Sequence, residues 1–175
     1  MRVYAIRGLI CSLVLWALGC GEAEIAHKGA ASAGPTVFPP QLHQWKDFEG
    51  KSVDLNDYKG KVVILNFWAT WCVPCKKELP SMQKLYDAIK LDGVEVVAIS
   101  IDRDKKDRIQ QYIKNYNLTF PVLLDPNQKV RKDYFIMGLP TSYLIGADGK
   151  LKGFISGARE WNSTASKKMF STLVQ

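Results

Sequence analysis

Two largely apolar runs, rich in β-branched residues, set the framework of the chain. They cover residues 62–67 and 94–101, and such runs are typical of strands buried on both faces of a sheet. Between them, apolar residues recur at the spacing of one helix face: Leu79, Met82, Leu85, Tyr86 and Ile89. The pattern therefore predicts a central strand, a helix and a second central strand, in that order.

Short strand-like segments near both ends of this unit predict two hairpins. Residues 44–48 and 52–55 flank a turn that contains glycine, which favours an N-terminal hairpin. Residues 141–145 and 151–156 flank an Asp-Gly dipeptide at 148–149, a strong signal for a tight hairpin turn. The pattern therefore predicts one hairpin before the central strands and one after them.

Three further helices are predicted. Residues 104–116 form an amphipathic pattern, and residues 120–124 and 127–134 predict an inserted strand and a short helix. Residues 162–173 predict a closing helix, with apolar residues at a spacing of four: Ala165, Met169 and Leu173. The alternation of strands and helices predicts an α/β sandwich with a mixed central sheet.

Composition is consistent with one globular domain and a leader. The chain has 175 residues, of which 47% are hydrophobic and 23% are charged, so it can bury a proper core without a disulfide scaffold. The formal net charge is +7, from scattered basic residues that indicate a solvated, lysine-rich surface. A weaker alternative is attraction to an anionic membrane or to acidic partners. No nucleic-acid motif is present, so a nucleic-acid partner is not expected.

Residues 1–20 have the pattern of an export signal. Arg2 and Arg7 provide the positive end, and the apolar core at 9–18 is too short to span a bilayer as a helix. The segment ends in Ala-Leu-Gly-Cys, which resembles a bacterial lipoprotein cleavage site, although leucine stands one place late. The resemblance implies that Cys20 becomes the lipidated first residue of the mature protein.

The segment after the signal predicts a tether. Residues 21–40 are rich in Gly, Ala, Ser and Pro, which is typical of a flexible linker, and the folded domain is expected over residues 41–175. The alternative to lipidation is an ordinary secretory signal cut further on, near the small residues at 31–33. Both alternatives place the domain outside the cytoplasm.

Cys72 and Cys75 stand at the junction between the first central strand and its helix. Unpaired backbone N–H groups and the macrodipole at a helix start favour an anion, so Cys72 is expected to be an exposed, reactive thiolate. One helical turn brings the two sulfurs within reach of each other. Pro74 is compatible with the first turn, where a missing N–H costs nothing. The pair is therefore a candidate two-electron switch.

A Cys-x-x-Cys pair can also bind zinc, form a structural disulfide or attach haem. Zinc needs four ligands, and the remaining candidates lie far upstream: Cys11, Cys20, His27 and His43. A structural disulfide that closes so small a loop would stabilise the fold little. Haem attachment requires histidine at position 76, which is Lys76. No metal or cofactor is therefore expected.

The chain resembles the TlpA/ResA-like thiol–disulfide oxidoreductases over roughly residues 36–175. The resemblance is carried by NFWATWCVPCKKELP at 66–80 and by GLPTSYLI at 138–145, followed by the Asp-Gly pair. It implies a thioredoxin fold, a three-layer α/β/α sandwich with an N-terminal β-hairpin and a strand–helix insertion. The family's members are tethered to the outer face of the cytoplasmic membrane.

The resemblance also implies roles for individual residues. Cys72 would attack a substrate disulfide, and Cys75 would resolve the mixed disulfide. Pro140 resembles the family's cis-proline, which lies against the cysteine pair and frees the preceding backbone to bind an extended substrate; the alternative is an ordinary trans proline.

Glu78 is the remaining candidate residue. The buried aspartate of thioredoxins is replaced by Asn66, which cannot take a proton. Glu78 then becomes the nearest candidate base for Cys75, and the family uses a glutamate at this place. The alternative is a solvated glutamate paired with Lys76 or Lys77.

The expected function is reduction of protein disulfides outside the cytoplasm. The family's substrates suggest apocytochrome c, whose cysteines must be reduced before haem attachment, and a membrane thiol–disulfide donor would reset the pair. The protein is expected to act as a monomer. One alternative is a copper-site assembly module, although the chain has no histidine after His43. Another is a thiol peroxidase, which would use a single activated cysteine in a different loop.

Overall fold

The computed structural model describes residues 44–90, 93–103 and 106–174. Its strands are β1 (Trp45–Lys46), β2 (Ser52–Val53), β3 (Val62–Trp68), β4 (Val94–Ser100), β5 (Val122–Leu124), β6 (Thr141–Ile145) and β7 (Leu151–Ser156). Its α-helices are α1 (Val73–Ile89), α2 (Lys106–Asn115), α3 (Lys129–Asp133) and α4 (Thr164–Leu173), and a 3-10 helix covers Leu55–Tyr58.

The described strands form one mixed sheet in the order β2-β1-β5-β4-β3-β6-β7. The central strands β3 and β4 are parallel, with Trp68 opposite Ser100, and β5 is parallel to β4. On the other side, β6 runs antiparallel to β3, with Phe67 opposite Thr141. The end of β3, the end of β4 and the start of β6 therefore meet at one edge of the sheet.

The core lies around the two central strands. Every residue of β3 and β4 is buried, so both faces of the sheet centre are covered, as in a three-layer α/β/α sandwich. The helix α1 adds an apolar face: Leu79, Met82, Leu85 and Ile89. The predicted α/β class, mixed sheet, N-terminal hairpin and strand–helix insertion are confirmed.

Two details differ from the sequence pattern. The first hairpin is shorter than predicted, because Asp54 caps a 3-10 helix that begins at Leu55. In α4, Ala165 is exposed, while Ser166 and Phe170 are buried. Met169 and Leu173 are partly buried and pack against the core, so of the three apolar residues at a spacing of four only Ala165 lies off the packed face.

The predicted signal, tether and Cys20 lie outside the described residues. Within the described part of the chain, no helix is both long and apolar enough to cross a membrane.

Candidate active site

Cys72 and Cys75 lie where β3 gives way to α1 and are joined by a disulfide. Cys72 is the N-cap residue of α1, and its sulfur accepts a hydrogen bond from the Cys75 N–H at 3.2 Å. Proline lies in the first helical turn, where no intrahelical donor is needed. The first cysteine therefore occupies the positive end of the helix, as the sequence predicted.

Cys72 is less exposed than expected. Only 5% of its surface is accessible, and Cys75 has no accessible surface at all. The residues on either side of Cys72 are much more exposed: Trp71 is 56% exposed and Val73 is 59% exposed. Cys72 is still the more accessible of the two cysteines to a substrate. Two exposed apolar side chains flank it at the surface.

A buried carboxylate holds the loop that precedes the cysteines. Asp102 accepts hydrogen bonds from the Thr70 N–H at 2.8 Å, the Thr70 hydroxyl at 2.7 Å and the Ser100 hydroxyl at 2.8 Å. Sequence reasoning missed this residue. The available signal was an aspartate directly after a buried strand, at the sheet edge where the cysteine strand also ends.

Glu78 is buried on α1, one turn beyond Cys75, with 2% of its surface accessible. Its Oε1 accepts from the Asn66 amide at 2.8 Å, and its Oε2 accepts from the Arg159 N–H and the Trp161 indole N–H, each at 3.2 Å. The alternative of a solvated glutamate paired with a lysine is therefore wrong. The residues at 159 and 161 were not anticipated, because they lie far away in sequence.

Opposing effects act on the Glu78 carboxyl. Burial raises its pKa above the ordinary value, because desolvation disfavours the charged form. The hydrogen bonds from Asn66, Trp161 and the Arg159 N–H lower the pKa, yet burial is the larger effect and the net shift is upward. A raised pKa makes this carboxyl a better proton acceptor near neutral pH.

Asn66 links Glu78 to the strand that follows the proline. It is fully buried on β3 and donates one N–H to Glu78 and the other to the Ser142 hydroxyl, at 2.9 Å. Its Oδ1 has no hydrogen-bond partner among the described residues. The amide of Asn66 therefore serves the Glu78 carboxylate as a hydrogen-bond donor.

Pro140 lies at the same edge of the sheet as the cysteines. The Leu139–Pro140 peptide bond is cis, which confirms the predicted isomer. Pro140 is buried and directly precedes β6, whose first residue Thr141 pairs with Phe67 near the end of β3. Its carbonyl accepts from the Gly157 N–H at 2.9 Å, which fixes the segment against β7. The structure thus brings Cys72, Cys75, Glu78 and Pro140 together around one sheet edge.

No metal-binding group was found in this region. Within residues 44–90, 93–103 and 106–174, no three or more His, Cys, Asp or Glu side chains converge on a common point.

Comparison with known proteins agrees with this arrangement. The model of the AhpC/TSA family matches residues 40–154. The chain is 43% identical to thiol-disulfide oxidoreductase ResA of Bacillus subtilis (strain 168), over 89% of this chain and 86% of that protein. It is 47% identical to ResA of Bacillus thuringiensis subsp. konkukian (strain 97-27), over 63% of this chain and 64% of that protein. The chain thus matches slightly less than two thirds of the length of that relative.

The fold has solved counterparts. A crystal structure described as a thiol:disulfide interchange protein DsbE from Chlorobium tepidum superposes with a TM-score of 0.69, at 30% identity, over 76% of this chain and 93% of that one. The fold and the cysteine pair define a thioredoxin-fold protein of the Cys-x-x-Cys type. The chain belongs to the AhpC/TSA family and to the ResA-like thiol-disulfide oxidoreductases.

Proposed function

We propose that this protein reduces disulfides in other proteins through Cys72 and Cys75. The Cys72 thiolate attacks one sulfur of a substrate disulfide, which forms a mixed disulfide and releases one substrate thiolate. The Cys75 thiolate then attacks the Cys72 sulfur, which releases the second substrate thiol and restores the intramolecular disulfide. Two electrons pass from the pair to the substrate. The observation that carries the proposal is the disulfide that closes the first turn of α1 beside a buried carboxyl.

Glu78 serves in this proposal as the base for the resolving cysteine. Cys75 has no accessible surface, so its proton has no direct route to water, and Glu78 lies at position i+3 on the same helix. The raised pKa of the carboxyl supports uptake of that proton as Cys75 attacks.

Pro140 serves in substrate binding. A proline has no N–H of its own, and the residue before it stands at the sheet edge beside the cysteines, half-buried and outside the β6 ladder. The backbone of Leu139 is therefore available to pair with an extended substrate segment. This would align the substrate disulfide with the Cys72 sulfur.

The proposed setting is outside the cytoplasm. The export signal and the lipoprotein-like cysteine at position 20 support anchoring of the mature protein to a membrane by lipid, as a monomer. The resemblance to cytochrome c maturation proteins suggests apocytochrome c as substrate, with a membrane thiol–disulfide donor that returns two electrons to the pair.

A single-turnover assay tests the proposed activity. The reduced protein, freed of excess reductant, is mixed with a peptide that contains one disulfide, and thiols are counted in protein and peptide. We expect two thiols to appear in the peptide for each pair lost from the protein. Parallel titrations with Cu(I) and hydrogen peroxide test the alternatives. Stoichiometric copper binding with no peptide reduction would favour the assembly module, and rapid peroxide turnover would favour the peroxidase.

A further inference from the structure

A cationic pocket borders the cysteine loop on the side of β4. It has a volume of about 350 Å³ and is lined by Trp71, Asp102, Arg103, Gln128 and Arg131. Trp71 directly precedes Cys72, and Arg103 follows the strand whose end pairs with the end of β3. The pocket is therefore adjacent to the residue proposed to attack the substrate.

Gln128 fixes one wall of this pocket. Its Nε2 donates to the Ile101 carbonyl at 2.9 Å, and its Oε1 accepts from Arg103 at 3.4 Å. Its backbone φ of 53° lies in the left-handed region, which is unfavourable for a residue other than glycine. The side-chain contacts tie the start of α3, and with it Arg131, to the end of β4.

The charges of the pocket are not neutralised within the described part of the chain. Among the described residues, the Arg103 guanidinium has one hydrogen-bond partner, the neutral amide of Gln128, and no hydrogen bond or ion pair engages the exposed Arg131 guanidinium. Asp102 is buried, and its oxygens already accept from Thr70 and Ser100. The exposed surface of the pocket therefore carries a net positive charge from Arg103 and Arg131, next to the exposed indole of Trp71.

We propose that this pocket is a substrate-docking surface that selects an acidic polypeptide segment next to the disulfide to be reduced. Planar guanidinium groups bind carboxylates in a bidentate manner, and the indole of Trp71 offers a face for an apolar side chain between the acids. The inference rests on the proposed reductase function and adds the chemistry of the substrate to it. Attraction of this kind acts mainly on encounter and selectivity.

Three peptides with the same internal disulfide test the proposal. They differ only in the residues that flank the disulfide, which are glutamate, glutamine or lysine. Second-order rate constants for reduction are measured by stopped flow at low and at high ionic strength. We expect the glutamate peptide to react about fivefold faster than the lysine peptide at low salt, and the ratio to fall toward one in about 1 M salt.

Charge reversal supplies the matched comparison. In Arg131→Glu, the ratio of the two rates should fall below one, because a repulsive carboxylate replaces an attractive cation. Lys168→Glu changes the net charge by the same amount on an exposed part of α4, and it should keep the wild-type ratio.

The outcomes separate the two proposals. Equal rates for all three peptides, or the same change of ratio in Lys168→Glu, would overturn the docking surface and leave the reductase function standing. Failure to reduce any of the peptides would overturn the reductase function, and the docking surface with it. If Arg131→Glu abolishes sedimentation with anionic lipid vesicles and leaves the peptide ratio unchanged, the pocket is a membrane contact and the proposal is wrong.

Discussion

Every hydrogen-bond partner of the Glu78 carboxyl is a donor. The Asn66 amide, the Arg159 N–H and the Trp161 indole all favour the ionised form, while burial favours the protonated form and is the larger effect. Because the pKa in the folded state exceeds its ordinary value near 4.5, the folded protein binds this proton more tightly than the unfolded chain does. The stability that this proton provides is present at low pH and is lost as pH rises through the folded-state pKa.

Glu78→Gln should therefore flatten the dependence of stability on pH. In the wild type, the free energy of unfolding should fall as pH rises above about 4.5, and the variant should lack that part of the decline. Urea denaturation of the oxidised proteins across this range measures the difference. The same variant should slow turnover and let the reduced cysteines alkylate at lower pH, since a nearby negative charge is removed. Identical rates and thiol titrations in both proteins would show that Glu78 has no part in the reaction.

Asn66→Asp should destabilise the protein in a manner that grows with pH. A second carboxylate would replace the amide that donates to Glu78 at 2.8 Å, and two buried acids at that distance cannot both ionise without large cost. We expect a loss of about 3 kcal/mol near pH 8 and a much smaller loss near pH 4, where the two acids can share a proton. Denaturation curves at the two pH values check this. A loss that is the same at both would indicate a packing defect instead.

At the scale of elements, the β3–loop–α1 unit depends on its neighbour strand. Asp102, after β4, holds the loop through two hydrogen bonds from Thr70, one to each carboxylate oxygen. An asparagine has a single accepting oxygen, so it could keep only one of these two bonds. Asp102→Asn should cost about 2 kcal/mol of unfolding free energy. It should also change the rate at which Cys72 alkylates, because the loop sets the position of the sulfur. Glu49→Gln, at an exposed turn, is the control and should change stability by less than about 0.5 kcal/mol.

Helices and strands could be predicted from the sequence where their apolar residues follow one regular spacing. The buried strands β3 and β4 and the helix α1 have continuous or helical apolar patterns, and the cysteines mark their junction. The packed face of α4 was only partly predicted: Met169 and Leu173 pack against the core, but buried Ser166 carries no apolar signal. Arg159 and Trp161 could not be assigned to the site, since only tertiary contacts bring them to Glu78. Asp102 was missed although its place directly after a buried strand was a usable signal.

At the scale of the whole molecule, the prediction concerns attachment. The mature protein should begin at a lipid-modified Cys20, and Cys20→Ala should release it from the membrane or leave it misprocessed. Mass spectrometry of the N-terminal peptide from native membranes, with fractionation of both proteins, measures this. An unmodified N-terminus downstream of position 20 would show that an ordinary secretory signal is used instead.

The central proposal is that Cys72 attacks the substrate disulfide and that Cys75 resolves the resulting mixed disulfide. Its most direct test is to mix reduced Cys75→Ser and Cys72→Ser with a disulfide peptide and weigh the products by intact mass spectrometry. Cys72 has the helix start and the greater access, so Cys75→Ser should accumulate a mixed disulfide on Cys72. Cys72→Ser should form little or none, because the remaining sulfur is fully buried. Faster accumulation of the adduct on Cys75 in Cys72→Ser would contradict the account.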